Sequence, residues 1–280
     1  MMKRILFLML VLSSSNIVKA QYLESFEHAG EIGFSAGVGH YFGDLNPNIN
    51  FNKPKISGAV HYTKQFNNYI GIKLSATYAF LAYSDKYSDN IVQKTRNLSF
   101  NTDVWEFSLN GTFNFFKFNP GFEGYNYTPY VGLGLGIFNY DPYTYLNGEK
   151  YFLRQIGTEG QGSAAYPNKK PYKNYAFCIP LTLGIKFALN AKTNIFTEFR
   201  YRFTTTDYLD DVSTNYTPDA FASGSTGIFL NDRSYETGVT IGQKGRQRGN
   251  TLQNDAFATF HVGVSFNLQN YKCPDDMYRY

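Results

Sequence analysis

Eight stretches of the chain alternate apolar with polar or small residues, and this two-residue period predicts β-strands rather than helices. Gly30 to Gly43 sets Ile32, Phe34, Ala36 and Val38 against Glu31, Ser35, Gly37 and Gly39. Lys55 to Phe66 alternates less cleanly through Ile56, Val60 and Tyr62, and Asn67-Asn68 then marks a tight turn. Tyr69 to Tyr83 follows, with Ile70, Ile72, Leu74 and Tyr78 opposite Gly71, Lys73, Ser75 and Thr77. The clearest segment is Thr102 to Phe116, where Trp105, Phe107, Leu109, Phe113 and Phe115 share one face and Glu106, Ser108, Asn110, Thr112 and Asn114 the other. Thr128 to Tyr140, Lys173 to Leu189, Asn194 to Thr206 and Asp255 to Leu268 complete the set.

The connections sharpen this picture. Those after the second, fourth and sixth segments are short, namely Asn67-Asn68, Lys117 to Tyr127 and Asn190 to Thr193. Those after the third, fifth and seventh are long, the last running from Asp207 to Asn254. Short turns at one end and long loops at the other are the asymmetry of a membrane barrel, whose strands need about 9–11 residues to cross a bilayer. A soluble β-sandwich alternates too, and the period alone does not say whether the apolar face meets lipid or a second sheet. Strand length and loop asymmetry favour lipid, and the expected fold is an all-β, eight-stranded antiparallel up-and-down transmembrane β-barrel.

The amino terminus adds the compartment. Lys3 and Arg4 precede an apolar run from Ile5 to Leu12, and Val18-Lys19-Ala20 places small residues where a signal peptidase cuts. That run is shorter than the roughly 20 residues a membrane helix needs. Residues 1–20 are therefore expected to be a signal peptide, residues 21–269 the barrel and residues 270–280 a periplasmic tail. Gln21 stands where a lipoprotein would carry cysteine. The expected location is the outer membrane, with long loops outside and both termini in the periplasm.

Composition agrees. Aromatic residues make up 18% of the chain and charged residues only 17%, against roughly 25% in soluble domains. The formal net charge is +4, and removing the signal segment's Lys3, Arg4 and Lys19 leaves +1, which gives no electrostatic case for nucleic acid as a partner. The two cysteines are too few for a disulfide scaffold.

Candidate chemistry centres on the inward face. Glu106, Glu198, Arg200 and Arg202 should point into the lumen, with Lys73 and Lys186 joining them. A gated ion path is one reading of such a set. A structural salt-bridge plug is favoured, because side chains fill an eight-stranded barrel and buried charges must pair. His40, His61 and His261 lie on different segments without metal-ligand spacing, and His28 has no evident partner. Asp207, Asp210 and Asp211 invite a calcium reading, yet the glycine and glutamate of a calcium loop are missing, and a solvated or loop-ordering role is expected. No Gly-x-Ser-x-Gly elbow is present, although His261 and lumen hydroxyls are able to meet as in membrane-embedded acyl hydrolases. No catalytic residue, metal or cofactor is expected. The segment from Tyr143 to Lys173 reads equally as a receptor surface or as mobile coil.

Cys178 falls on the lumen side near the outer end of its strand, and Cys273 in the tail. Roughly 30 Å of strand separates Cys178 from the periplasmic turn, whereas a disulfide needs Cα atoms within about 7 Å. The internal pair is not expected. Cys273 then either pairs with another molecule or is a thiol without a role.

Two phrases carry a family resemblance. Glu31-Ile32-Gly33 running into Gly39-His40-Tyr41-Phe42-Gly43-Asp44-Leu45, and Thr206-Asp207-Tyr208-Leu209-Asp210-Asp211-Val212-Ser213, resemble hallmarks of the PorG-like barrel proteins of Bacteroidota. They are expected at opposite ends of the barrel. The resemblance implies a non-enzymatic outer-membrane component of the type IX secretion system that contacts the periplasmic ring of the PorK lipoprotein and PorN. It further implies Cys273, Pro274, Tyr278 and Tyr280 of the tail as partner-binding residues, with Cys273 available for a disulfide link. The alternative is a general OmpA-like or OmpW-like surface barrel, acting as adhesin or narrow porin.

Overall fold

The computed structural model describes residues 28–48 and 50–269. The expected signal segment and the tail with Cys273, Pro274, Tyr278 and Tyr280 lie outside the described residues. Among those described, eight strands close into an antiparallel barrel: β1 (His28–Phe42), β2 (Lys55–Gln65), β3 (Ile70–Ser84), β4 (Ser99–Asn114), β5 (Tyr127–Asn139), β8 (Tyr175–Ala188), β9 (Thr193–Thr204) and β10 (Ala256–Gln269). Each pairs with its predecessor in chain order, and β1 pairs with β10 to close the ring. All eight expected segments are strands, with ends shifted by up to three residues, as where β4 begins at Ser99 rather than Thr102.

A short hairpin of β6 (Tyr143–Leu146) and β7 (Glu149–Phe152) leaves the barrel after β5, so part of the segment read as receptor surface or coil is regular structure. Its turn is Asn147-Gly148, both residues with positive φ (53° and 84°). That geometry suits the right-handed twist of the flanking strands and is the strongest short hairpin signal a sequence carries. Three short helices sit in the long connections: α1 (Ile91–Arg96), α2 (Leu153–Ile156) and α3 (Thr226–Asn231). Asn90 caps α1 by accepting from the Val92 amide, and Ser225 caps α3 by accepting from that of Ile228.

The barrel is inverted relative to a soluble protein. Outward residues such as Phe34, Leu74, Phe107, Leu109, Leu133, Phe177 and Val262 are exposed, while Glu31, Lys73, Glu106, Glu198, Arg200 and Arg202 inside are buried. The hydrophobic effect would drive such an exterior out of water, so the belt needs an apolar surrounding.

Inward glycines decide how the interior packs. In register, Tyr130 of β5 faces Gly184 of β8, which faces Glu198 of β9. The Tyr130 ring lies across Gly184, where a Cβ would overlap it, and its hydroxyl donates to Glu198 Oε2 at 2.8 Å. Gly33 receives the His61 ring in the same way, and Gly263 the ring of Phe196. Large rings over glycine floors fill the narrow lumen without straining the wall.

Gly184→Val should therefore push Tyr130 off Glu198 and cost about 1–3 kcal/mol, as overpacking does. The outward change Leu183→Val should cost less. Urea unfolding of the refolded protein measures both.

Candidate functional site

Two polar layers stand out, a charge network inside the barrel and a cap of long loops over one end. Strand register builds the first. Arg200 and Arg202 alternate inward on β9 with Glu198, Arg202 meeting a carboxylate from β4 and Arg200 the one on its own strand. Arg202 Nε donates to Glu106 Oε2 at 2.8 Å, and Arg200 Nη2 to Glu198 Oε1 at 2.5 Å. Lys73 pairs with Glu198 across the lumen, and Lys186 Nζ lies 2.5 Å from Glu31 Oε2. Arg202 also donates to Thr259 Oγ1 at 2.6 Å and stacks over the Phe257 ring at 4.9 Å. All four residues named from the sequence meet here, together with Lys73 and Lys186. Glu31 joins them, recognised from the sequence only as an inward residue.

The network closes the lumen. Side chains lining a water-filled pore keep accessible surface, yet Glu106 is 1% exposed and Arg202 0%. In so dry a setting the pairs gain little net stability over apolar packing, but an orphaned partner costs about 3–5 kcal/mol.

The histidines are placed apart. His40 contacts the Tyr41 carbonyl at 2.9 Å and stacks on Phe42, and His61 sits edge-on to Phe196. His261 Nε2 lies 2.9 Å from Ser57 Oγ, and Ser57 Oγ donates to the Tyr78 carbonyl at 2.7 Å. With the hydroxyl proton directed to that carbonyl, His261 would donate to Ser57, and the pair links β10 to β2 across β1. Cys178 is buried with a free thiol. Among the described residues no three His, Cys, Asp or Glu side chains gather as a metal site.

The cap corrects one expectation. The two resemblance phrases, expected at opposite ends, meet at the same rim, because β1 and β9 both leave the barrel on the long-loop side. The Tyr41 hydroxyl contacts Asp210 Oδ2 at 2.5 Å and Asp255 Oδ1 at 2.9 Å. Asp255 Oδ2 accepts from the Leu209 amide, and Asp44 from that of Asn250. Asp211 takes a left-handed backbone (φ 67°), tolerated by Asp, and accepts from Thr158 and Tyr172. The acidic patch thus orders the loop rather than lying solvated.

Behind it lies a hub that periodicity did not reveal. Fully buried Glu159 accepts from the Ser213 and Thr214 amides, from Thr214 Oγ1 at 2.5 Å and from Arg248 Nη1 at 3.1 Å. Arg248 also donates to the carbonyls of Asn231 and Asp211. Arg96 grips Asp85 with two bonds, at 2.8 and 2.7 Å, and reaches the carbonyls of Arg248 and Asp44. Loop residues from four connections are thereby joined. No spacing in the sequence marks Glu159, Arg248 or Arg96, since each finds its partner through the fold.

Crowded carboxylates make this cap sensitive to pH. Burial pushes Asp44 up to about 6 and Asp207 up to about 7. Burial also raises Asp211 to about 7, against the pull of Arg248. Asp210 and Asp255 are held well above the usual carboxylate range, first by burial and then by neighbouring carboxylates.

Two outcomes follow. Arg202→Met should destabilise the barrel by about 3–5 kcal/mol by stranding Glu106, and adding Glu106→Gln should recover part of that loss on urea unfolding. Carboxyls whose folded values lie above their unfolded ones favour the cap at low pH and disfavour it once ionised. Cap stability should fall as pH rises through the values of about 6 and 7 at Asp44, Asp207 and Asp211. Proteinase K should then cut residues 219–254 faster near about pH 8 than near about pH 5, with a flatter profile in Asp207→Asn.

Solved structures with a similar barrel include Neisserial surface protein A, at 11% identity and a TM-score of 0.43, covering 87% of this chain and 100% of that one. The attachment invasion locus protein Ail of Yersinia pestis matches at 10% identity and 0.41, covering 87% and 100%. The outer membrane protein OprG from Pseudomonas aeruginosa matches at 10% and 0.40, covering 87% and 98%. No curated protein matches the chain. Residues 3–244 match the family described as Domain of unknown function (DUF6089), and the chain belongs to that family.

Proposed function

We propose that this protein is a non-enzymatic outer-membrane barrel that serves as an anchoring and interaction component rather than a channel. The carrying observation is the inversion of the barrel, with an exposed apolar belt outside and a closed ion-pair network inside. An exterior of that kind suits lipid, and a lumen whose charges are buried suits a plug. The Ser57 hydroxyl is engaged by the Tyr78 carbonyl as well as by His261, an arrangement that suits a strand-to-strand link.

The finer reading is a component of the type IX secretion system that contacts a periplasmic ring of PorK and PorN. It draws on the resemblance of the phrases around Tyr41 and Asp210, which form one hydrogen-bonded unit in the cap. In this reading the long loops face outward and the short turns face the periplasm. β1 starts and β10 ends at the short-turn end, which would deliver residues 270–280 to the periplasmic side. Cys273, Pro274, Tyr278 and Tyr280 are the contacts proposed there. A second reading, a free-standing surface barrel, is favoured by the ordered cap, which carries exposed Leu252 and Val239 on the long-loop side.

Affinity purification of the tagged protein from solubilised envelopes, with and without reductant, separates the two. Co-purifying ring proteins, with a reducible band lost in Cys273→Ser, is the outcome expected for the anchor. A barrel recovered alone favours the free-standing protein. Steady conductance in planar bilayers would overturn the closed lumen in either case.

A further inference from the structure

The seam between β5 and β8 is interrupted. Register partners run from Tyr127–Phe187 to Leu133–Leu181 and resume at Gly136–Cys178, leaving Gly134 and Leu135 without ladder partners opposite Pro180 and Ile179. Proline has no amide hydrogen to give a ladder. The seam from β8 to β9 runs unbroken past Pro180–Arg202, so the missing donor falls on the β5 side. Gly134 itself lies close to β4, where a Cβ would overlap the Leu109 carbonyl.

A cleft of about 530 Å³ opens on the outer wall at this place. Leu135 and Ile137 of β5, Phe177 and Ile179 of β8, and Phe107 and Leu109 of β4 line it, all exposed. Gly136 and Cys178, whose positions belong to the inward face, also border it. It sits toward the long-loop end, two residues from the end of β5 at Asn139 and two from the start of β8 at Tyr175.

We propose that this cleft is a binding site for one acyl chain of an outer-leaflet lipid, which rests on the outer-membrane reading above. The cleft is continuous with the apolar belt, and its size falls among ligand pockets of about 300–1,000 Å³. Its walls supply rings and branched aliphatic side chains with almost no polar partner, which selects a hydrocarbon chain over a headgroup. An ordinary strand pair offers lipid a pleated surface, whereas the broken ladder is flanked by a shallow open cleft along which a chain can lie.

The test uses the full chain in phosphatidylcholine vesicles doped with a phospholipid that carries a diazirine midway along one acyl chain. After irradiation, crosslinked peptides are mapped by mass spectrometry. Crosslinks should concentrate on Leu135, Ile137, Phe177 and Ile179. They should be lost in Ile137→Trp, which fills the cleft from the outside, and in Pro180→Val, which restores the ladder donor. They should persist in Leu183→Trp, an outward change on β8 beyond the cleft. Crosslinks spread evenly to Phe34, Leu183 and Val262 would overturn the site while leaving the membrane placement intact. So would retention in Ile137→Trp. Protein that fails to float with the vesicles would overturn the membrane placement and the site together.

Discussion

The pairing of buried charges across the lumen is the constraint on which the rest of this barrel depends. An inverted barrel puts its polar side chains where water is scarce, so each needs a partner within the wall-to-wall distance. Lys73 on β3 meets Glu198 on β9, Glu106 on β4 meets Arg202 on β9, and Glu31 on β1 meets Lys186 on β8. These pairs join strands that do not touch through backbone bonds. They hold the ring in one cross-section, and they specify register more strictly than an apolar filling would. A one-residue slip would turn every charge to the outside.

Glycines make this pairing possible. Tyr130 reaches Glu198 only because Gly184 leaves room between β5 and β9, and His61 and Phe196 use Gly33 and Gly263 in the same way. The polar network and the small residues form one design, in which wall thinness on one strand makes space for a side chain from its neighbour. The cap repeats the principle with different materials. Glu159, Arg248 and Arg96 satisfy carbonyls and amides that loops expose when they leave the sheet, which keeps long connections ordered without a hydrophobic core of comparable size. Its carboxylates are gathered more densely than their arginine partners, and this separates the cap from the lumen in its response to pH.

The broken seam at Pro180 shows the opposite tendency. Everywhere else along β5 and β8 the ladder is kept, so the loss of one donor is local. A freed backbone group in a membrane wall is costly unless a polar partner reaches it. Here the surrounding side chains are apolar.

The pattern of residues determined the fold. Alternation in eight segments, inward charges against outward rings, and short turns opposite long loops were all legible, because a two-residue period leaves each side chain only two directions to point. Glu106, Glu198, Arg200 and Arg202 could be assigned to the lumen from parity alone. The hairpin at Asn147-Gly148 went unread, because its signal lies in two turn residues and not in the period of its four-residue strands. Tertiary structure alone decided which charge met which, that Tyr41 and Asp210 share a rim, that Glu159 serves Arg248, and that the missing amide of Pro180 faces β5. Each of these depends on strands or loops far apart in sequence reaching a common point. Local periodicity says which face a residue takes, while ring closure and stagger set its depth and its opposite number.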